Sequence, residues 1–173
     1  MNRECNRDYI IPIKGISIGK HKYDFTIENS FFDEYENRDI YGANLNVSLD
    51  LDRSATLIEL EAEISGVVRT ECDRCLEEME HKLDTSAKLI VKFVKSTQEE
   101  DNDEVMTIDP SESELDIKQF LYDYICLALP IQRVHNEGEC DPLMIEKLEA
   151  FRNTPAEGDN TESPFGKLKD LIN

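Results

Sequence analysis

Positively charged residues are scarce in this chain of 173 residues. Its 19 Lys and Arg stand against 38 Asp and Glu, which gives a formal net charge of −19 and a pI near 4.4. Proteins that bind nucleic acid draw much of their affinity from cationic side chains that neutralise phosphates. We therefore expect long-range repulsion from nucleic acids and anionic membranes, and attraction to basic proteins. The alternative is that the charge only keeps the protein soluble.

Long apolar segments and an export sequence are also missing. Residues 1–13 contain no apolar core of the ~7–15 residues that a signal peptide needs. The longest apolar run, at residues 125–131, is far below the ~20 residues of a membrane span. We therefore expect a cytoplasmic protein that contacts no membrane. In that compartment the five cysteines are reduced thiols or metal ligands rather than a disulfide framework.

Recognisable catalytic motifs are absent from the sequence. It contains neither a G-x-S-x-G elbow nor a P-loop. None of its three histidines, His21, His81 and His135, lies in a nucleophile–base motif. Carboxylates are so abundant that a pair of them identifies no acid–base site. The sequence predicts a protein that is not an enzyme.

Alternating apolar and polar residues in the first half of the chain predict strands. Residues 9–28 indicate two strands separated by a turn at Gly19 and Lys20. Residues 45–51 and 58–64 alternate apolar with mostly polar side chains, which is typical of a hairpin with one solvated face. No segment between these strands is long enough for the helical connection of a parallel pair, so we expect an antiparallel sheet.

The strand pattern continues on both sides of a cysteine pair, Cys72 and Cys75. Gly66 indicates a β-bulge in the strand that leads to Cys72. Alternation resumes at residues 79–83 and again at residues 89–93. This pattern predicts a second hairpin, with the cysteine pair at or near its tip.

A long helix is predicted in the second half of the chain. Ser111 followed by Glu114 forms a capping box, which predicts a helix over residues 112–129 that ends before Pro130. Its apolar residues recur at helical spacing and form one stripe to pack on the sheet. The stripe consists of Ile117, Phe120, Leu121, Tyr124, Ile125 and Ala128. Cys126 lies beside it and is interpreted as a small core residue.

A second, short helix is predicted to start at Asp141, with Pro142 in its first turn. Its apolar residues are Leu143, Ile145, Leu148 and Phe151. Together these patterns predict an α+β fold, in which an antiparallel hairpin sheet packs against one main helix and short helices follow at the C-terminus.

The chain divides into a single α+β domain at residues 1–152 and a tail at residues 153–173. The tail begins with a flexible linker rich in Pro, Gly, Asn and Thr, and Ser163 with Pro164 then indicates the start of a short docking helix. The apolar face of that helix consists of Phe165, Leu168 and Leu171. We expect the protein's own sheet or a partner to cover it.

Residues 97–117 contain no Lys or Arg. Their first half predicts a solvated, mobile loop, and the functional alternative is that these residues attract a cationic partner.

The motif with the clearest chemistry is Cys72-Asp73-Arg74-Cys75. Two thiolates at this spacing on a tight turn can chelate one soft or borderline cation, and a closed structural zinc site needs two further ligands. His135 and Cys140 lie close together in sequence beyond the predicted long helix. The sequence therefore offers one zinc site, whose candidate ligands are Cys72, Cys75, His135 and Cys140.

Other interpretations of the cysteine pair stay open. The separation in sequence between Cys75 and His135 exceeds the ~20 residues typical of zinc ribbons, and no glycine follows the turn, so free thiols are an alternative. A redox pair is the third interpretation, although such pairs begin a helix whereas this one lies between strands. The basic residues around His21 predict a solvated turn or, alternatively, a phosphate contact. These basic residues are Lys14, Lys20 and Lys22.

Three stretches occur together in this chain. They are Glu-Cys-Asp-Arg-Cys-Leu at residues 71–76, Leu-Pro-Ile at residues 129–131 leading to His135 and Cys140, and Ser-Pro-Phe-Gly-Lys-Leu at residues 163–168. In this order, and with the hairpin-rich first half, the chain resembles the YceD-like family of bacterial and plastid proteins over nearly its whole length. Some of those relatives carry more cysteines after the Leu-Pro segment than this chain does.

The resemblance implies a role in the accumulation of large-subunit ribosomal RNA, hence in ribosome biogenesis, without enzymatic activity. We therefore expect a non-catalytic factor that supports rRNA accumulation or processing by binding a basic ribosomal protein or pre-rRNA. The acidity favours the protein partner, whereas Arg69, Arg74 and a zinc ion would form the local patch for RNA contact. The alternative is a zinc-ribbon-like regulator that binds nucleic acid directly.

Overall fold

The structure is a computed structural model that describes residues 3–4, 9–35, 39–94 and 105–153. Within these residues the chain forms strands, two α-helices and a 3-10 turn at Asn29–Phe31. The strands are β1 (Arg3–Glu4), β2 (Ile10–Pro12), β3 (Gly19–Ile27), β4 (Ile40–Arg53), β5 (Leu57–Glu71), β6 (Glu78–Phe93), β7 (Val105–Ile108) and β8 (Glu114–Asp116), and the helices are α1 (Lys118–Ala128) and α2 (Pro142–Asn153). These elements combine helices with strands, and most of the residues in them belong to strands, which agrees with the predicted α+β class.

One sheet contains six of these strands in the order β1-β3-β4-β5-β6-β7, and β2 pairs separately with β8. The four central strands are antiparallel neighbours, which confirms the predicted hairpin, with Leu49 opposite Ala62. The prediction of an antiparallel sheet is wrong at both edges, because β1 runs parallel to β3 and β7 runs parallel to β6. Val105 lies opposite Ile90, close to the end of β6. In this register β7 starts only three positions back from the last residue of β6, a distance of about 10 Å, so the parallel pairing does not require a long helical connection.

The second predicted hairpin is confirmed. β5 and β6 pair along their whole length, from Leu57 opposite Lys92 to Glu71 opposite Glu78. The two alternating stretches after the cysteines belong to this single strand β6. The connection between the strands contains the cysteine pair, which therefore lies at the hairpin tip as predicted.

The first predicted turn lies elsewhere in the structure. The chain turns at Lys14 and Gly15, where Gly15 has a φ of 99°, and Gly19 already belongs to β3. The carbonyl oxygen of Ser113 accepts hydrogen bonds from the backbone N–H groups of both Ile13 and Lys14. The contact with a distant segment fixes the turn, and the local sequence pattern does not reveal such a contact.

Gly66 marks a close approach of two strands rather than the predicted bulge. It pairs with Leu45 in an unbroken register, whereas the register shift between β4 and β5 lies between Ile40 and Gly42. Gly66 has a φ of 147°, and a Cβ atom there would lie 2.2 Å from the carbonyl oxygen of Asn44. Only a residue without a side chain fits this position.

The sheet has one buried face and one solvated face. Side chains on alternate positions of the central strands, such as Leu45, Leu49, Ile58 and Ile64, have no exposed surface, and the intervening positions carry mostly charged or neutral polar residues. Phe120, Leu121 and Ile125 of α1 belong to the same buried core. The predicted apolar stripe of the helix is therefore confirmed, with Tyr124 and Ala128 partly buried against the core.

The predicted start of the long helix is wrong. Glu114–Asp116 forms β8 and pairs with β2, so the capping box of Ser111 and Glu114 does not occur. Leu115 and Ile117 are 2% and 0% exposed, because strand alternation points both side chains into the core. Helix α1 begins at Lys118, whose backbone N–H donates to the Asp116 carboxylate at 2.8 Å. Tertiary pairing with β2 has outweighed the local capping pattern.

Helix α2 begins where the sequence predicts. The Asp141 carboxylate accepts hydrogen bonds from the backbone N–H groups of Leu143 and Met144 at 3.3 Å, and therefore acts as the N-cap. α2 has 12 residues and α1 has 11, so the structure does not show one main helix with shorter ones.

Both helices are too short to cross a bilayer, and this holds for every helix in the described part of the chain. The predicted linker and docking helix after Asn153, and the acidic residues 97–104, lie outside the described residues.

Candidate metal centre

The tip of the β5–β6 hairpin holds Cys72 and Cys75 in a tight turn. The backbone N–H of Cys72 donates to the carbonyl oxygen of Glu77, and the N–H of Leu76 donates to the carbonyl oxygen of Cys72, both at 2.9 Å. Leu76 has a φ of 63°, a left-handed conformation that glycine adopts more easily. Leu76 thus adopts the backbone conformation that a glycine after such a turn would adopt, even though no glycine follows the motif. The cysteines are 0% and 2% exposed, so the tip is buried on their side.

The segment between the two helices brings His135 and Cys140 to this tip. α1 ends at Ala128, and the chain then passes alongside the Cys72–Cys75 turn before α2 begins. His135 and Cys140 are partly buried there. Cys140 directly precedes the N-cap residue of α2, so a ligand at this position fixes the start of that helix.

All four predicted ligands lie together. Their ligand atoms are within 4.8 Å of one another. The Sγ atoms of Cys72 and Cys140 are 3.9 Å apart, and Nδ1 of His135 lies 3.3 Å from Sγ of Cys75 and 3.9 Å from Sγ of Cys140. A tetrahedral zinc ion with bonds of ~2.3 Å to sulfur and ~2.0 Å to nitrogen places sulfurs about 3.8 Å apart and sulfur and nitrogen about 3.5 Å apart. The group can therefore hold a metal ion with small side-chain adjustments.

A clamp of hydrogen bonds joins the two ligand-bearing segments. The backbone N–H of Asp73 donates to the carbonyl oxygen of Arg133, and the N–H of Arg133 donates to the Asp73 carboxylate, both at 2.7 Å. The Arg133 guanidinium lies 3.6 Å from Asp73 and 3.7 Å from Asp39. Nη2 of Arg74 donates to the carbonyl oxygen of His135 at 2.9 Å. These contacts hold the ligand pairs together without any contribution from a metal.

The thiols differ in their ease of ionisation. Burial raises the pKa of Cys72, but backbone N–H groups of Cys75, His135 and Arg74 donate to its sulfur, and the net effect lowers the pKa to about 6. The pKa of Cys140 is raised, first by burial and then by hydrogen bonding to the sulfurs of Cys75 and Cys72. One thiolate is therefore stabilised near neutral pH before a metal arrives, whereas Cys140 must release a proton to become a ligand.

The remaining candidate residues lie outside this cluster. Cys126 is partly buried on α1 and packs against the core, which confirms its predicted role as a core residue. The predicted turn is wrong for Lys20, His21 and Lys22, which lie on strand β3, whereas Lys14 lies in the observed turn. Nε2 of His21 is 2.8 Å from the carbonyl oxygen of Ser17, and Lys22 pairs with Asp50 of the neighbouring strand at 2.8 Å.

Three residues of the clamp were not identified from the sequence. Asp73 lies inside the cysteine motif, but a polar residue in a tight turn is common and carries little information by itself. Arg133 and Asp39 belong to segments far from the motif in sequence, and only the fold brings them to it. No pattern in the sequence could have connected them.

A comparison with known protein families gives a match to the family described as large ribosomal RNA subunit accumulation protein YceD, over residues 60–172. The matched region covers more than half of the chain. The chain belongs to this family. The match begins within β5 and contains all four residues of the candidate metal site, together with both helices. No curated protein and no solved structure matches the chain.

Membership in the YceD family connects the chain with the accumulation of large-subunit ribosomal RNA. The resemblance identified from the sequence is thereby confirmed. The family description names an accumulation role and no reaction.

Proposed function

We propose that this protein is a non-catalytic ribosome biogenesis factor that supports large-subunit rRNA accumulation by binding a basic ribosomal protein, and that a structural zinc ion shapes its binding end. The observation that carries the proposal is the presence of the Cys3His cluster within the region matched by the YceD family. The cluster joins the hairpin tip to the distant segment before α2, and both segments lie in the matched region. We expect the protein to act in the cytoplasm.

Zinc is the metal that the donor set fits best. Three sulfur donors and one imidazole match the soft to borderline character of Zn²⁺ and its tetrahedral preference. Four protein ligands leave no open position for water or substrate, so the ion has a structural role. Bound there, it would fasten the β5–β6 tip to the start of α2. The site residues are Cys72, Cys75, His135 and Cys140, as the sequence suggested.

The solvated face of the sheet supports a basic partner. Asp50 lies directly opposite Glu61, and Asp52 lies directly opposite Glu59. Like charges at such cross-strand positions repel each other. The ion pairs of Lys22 with Asp50 and of Lys88 with Glu61 offset the repulsion in the first pair, whereas within the described residues Asp52 and Glu59 have no such ion pair. A cationic side chain placed over the central strands would relieve this repulsion. With a net charge of −19, the whole chain also attracts basic proteins at long range.

The arginines around the metal cluster argue against direct RNA binding at this site. Arg69 pairs with Glu78 at 3.2 Å, Arg74 donates to the carbonyl of His135, and Arg133 lies between two carboxylates. Each guanidinium therefore takes part in holding the tip in place. A zinc-ribbon-like regulator that binds nucleic acid directly needs cationic groups that are available to phosphates.

A complementation experiment tests the function and the contribution of the cluster together. In a strain that lacks this gene, the wild-type protein should restore large-subunit rRNA levels and ribosomal subunit profiles. Cys72→Ser should fail or complement weakly, whereas Cys126→Ser, which changes a cysteine outside the cluster, should complement fully. Normal rRNA levels and subunit profiles in the deletion strain, also under cold stress, would contradict the proposed function.

The partner is tested by recovering the protein from cells before and after ribonuclease treatment. We expect a basic ribosomal protein to remain bound after RNA is removed. The double variant Asp52→Asn/Glu59→Gln should weaken this association, and Glu112→Gln/Glu114→Gln, which removes the same charge from a different edge, should not. Loss of the partner with the RNA, together with a steep fall of RNA affinity with added salt, would favour the nucleic-acid-binding alternative instead.

A further inference from the structure

Helix α2 carries its largest apolar side chains on a face that is open to solvent. Leu143, Leu148 and Phe151 are 67%, 40% and 80% exposed. At 3.6 residues per turn, these three residues and Met144 fall within about 140° of the helix circumference. Within the described part of the chain, no residue of α2 belongs to the buried core. A continuous apolar face of this kind on a helix indicates a surface that another element covers.

The sheet offers no apolar surface for this purpose. Its buried face is filled by the core and by α1. Its solvated face carries a charged row across four strands, in which Lys22, Asp50, Glu61 and Lys88 lie side by side. Lys22 pairs with Asp50 at 2.8 Å, and Lys88 pairs with Glu61 at 3.1 Å. An apolar segment placed there would remove these charges from water.

The C-terminal sequence contains a face that matches α2. In residues 163–172 the apolar positions Phe165, Leu168, Leu171 and Ile172 fall within about 120° of a helix circumference. The charges do not decide the pairing, because α2 carries Lys147 and Arg152 beside its two glutamates, and residues 163–172 carry Asp170 beside their two lysines. The two segments therefore match in their apolar pattern.

The connection between the segments has a suitable length. Residues 154–162 follow the end of α2 and precede Ser163. A flexible chain of this length has an average end-to-end distance of about 15–18 Å, and two packed helices lie ~8–10 Å apart. A short flexible connection gives an effective concentration of roughly millimolar order. The attached segment therefore competes strongly with any free molecule for the same face.

We propose that residues 163–172 form a short helix that lies antiparallel on α2 and covers Leu143, Leu148 and Phe151. The antiparallel arrangement brings the negative end of one helix dipole near the positive end of the other. The apolar face of α2 is then covered by the chain itself rather than by a partner.

Because the sequence contains no tryptophan, a single substitution provides a reporter. In the full chain, Phe165→Trp should give blue-shifted emission and a several-fold lower acrylamide quenching constant than Ile131→Trp, since Ile131 is 104% exposed. Adding Phe151→Asp should expose the reporter. Adding Ile18→Asp, a matched change at a position that is 71% exposed, should leave it buried. Because both are outside the core, neither change should alter the circular dichroism spectrum.

Three outcomes would overturn the proposal. The first is a reporter at position 165 that is quenched as strongly as the one at position 131. The second is a buried reporter that stays buried in both Phe151→Asp and Leu148→Asp, because the segment then docks elsewhere. The third is burial that disappears on dilution, because the cover is then a second copy of the chain.

Discussion

Substitution of Asp73 tests whether the clamp organises the metal cluster. The Asp73 carboxylate accepts a hydrogen bond of 2.7 Å from the backbone N–H of Arg133 and lies 3.6 Å from the guanidinium of the same residue. A hydrogen bond to a charged group contributes about 1.5–3 kcal/mol. The Asp73 side chain is 37% exposed, so the ion pair adds only about 0.2–1 kcal/mol. Together the two contacts contribute about 2–4 kcal/mol.

Without the clamp, zinc binding itself must bring the two ligand-bearing segments together. Since about 1.4 kcal/mol corresponds to a tenfold change in affinity, the full loss would weaken binding by roughly 30- to 700-fold. Part of the loss lowers the stability of the metal-free protein instead. We therefore expect Asp73→Ala to weaken zinc binding by about 10- to 100-fold, the range usual for residues that orient metal ligands. Competition with a chromophoric chelator measures the affinity.

Two control variants separate the contributions. Asp73→Asn keeps an oxygen that can accept the N–H of Arg133 but removes the charge, so we expect a loss of less than about tenfold. Asp50→Asn removes a carboxylate that pairs with Lys22 away from the cluster and should leave zinc affinity unchanged. Wild-type zinc affinity in Asp73→Ala would refute the reasoning, because the segments would then be held together by other contacts.

Three further predictions concern pH dependence and backbone conformation. The pKa of Cys72 falls from 9.0 to about 6 on folding, so the unfolded chain binds more protons than the folded protein between these pH values. The free energy of unfolding of the metal-free protein, measured in urea, should therefore decrease as pH falls from 9 to 6. In Cys72→Ser this free energy should depend less steeply on pH. Gly66→Ala should destabilise the fold by ~3 kcal/mol or more, because the added Cβ would lie 2.2 Å from a backbone oxygen. As the control, Gly19→Ala should lower the free energy of unfolding by only about 1–2 kcal/mol, because Gly19 has a φ of 120° but open space around it. Leu76→Gly should stabilise the protein by about 0.5–1 kcal/mol, because it relieves a left-handed φ of 63° at a side chain that is 59% exposed; a loss of stability would contradict this assignment of strain.

The parts of the fold that local periodicity specifies could be predicted from the sequence. The alternation at residues 45–51 and 58–64 reflects one buried and one solvated face, and this pattern is sufficient to predict the hairpin. The helical stripe around Phe120 is equally local. The capping box at Ser111 failed because β2 supplies a pairing partner for residues 114–116, and that partner lies about a hundred residues away in sequence.

The same distinction holds for the metal cluster. Cys72 and Cys75 are adjacent on one turn, so their joint role follows from spacing alone. His135 and Cys140 could be chosen because thiol and imidazole donors are rare in the chain, and their ligand atoms do lie within 4.8 Å of the first pair. Arg133 could not be identified in this way, since its role depends on where the chain passes after α1. Rare residue types thus reveal a candidate site, whereas the common residues that support it require the fold.

The central claim is that the chain holds one structural zinc ion in its Cys3His cluster, and the metal content of the purified protein tests it most directly. The protein should be produced without a metal-affinity tag and analysed by elemental mass spectrometry beside its cysteine variants. We expect one zinc per chain in the wild type and in Cys126→Ser, and much less in Cys72→Ser and Cys140→Ser. A strong chelator should lower the thermal stability of the wild type towards that of Cys72→Ser. Wild-type protein with well under one zinc per chain, or Cys72→Ser with the same zinc content as the wild type, would contradict the account.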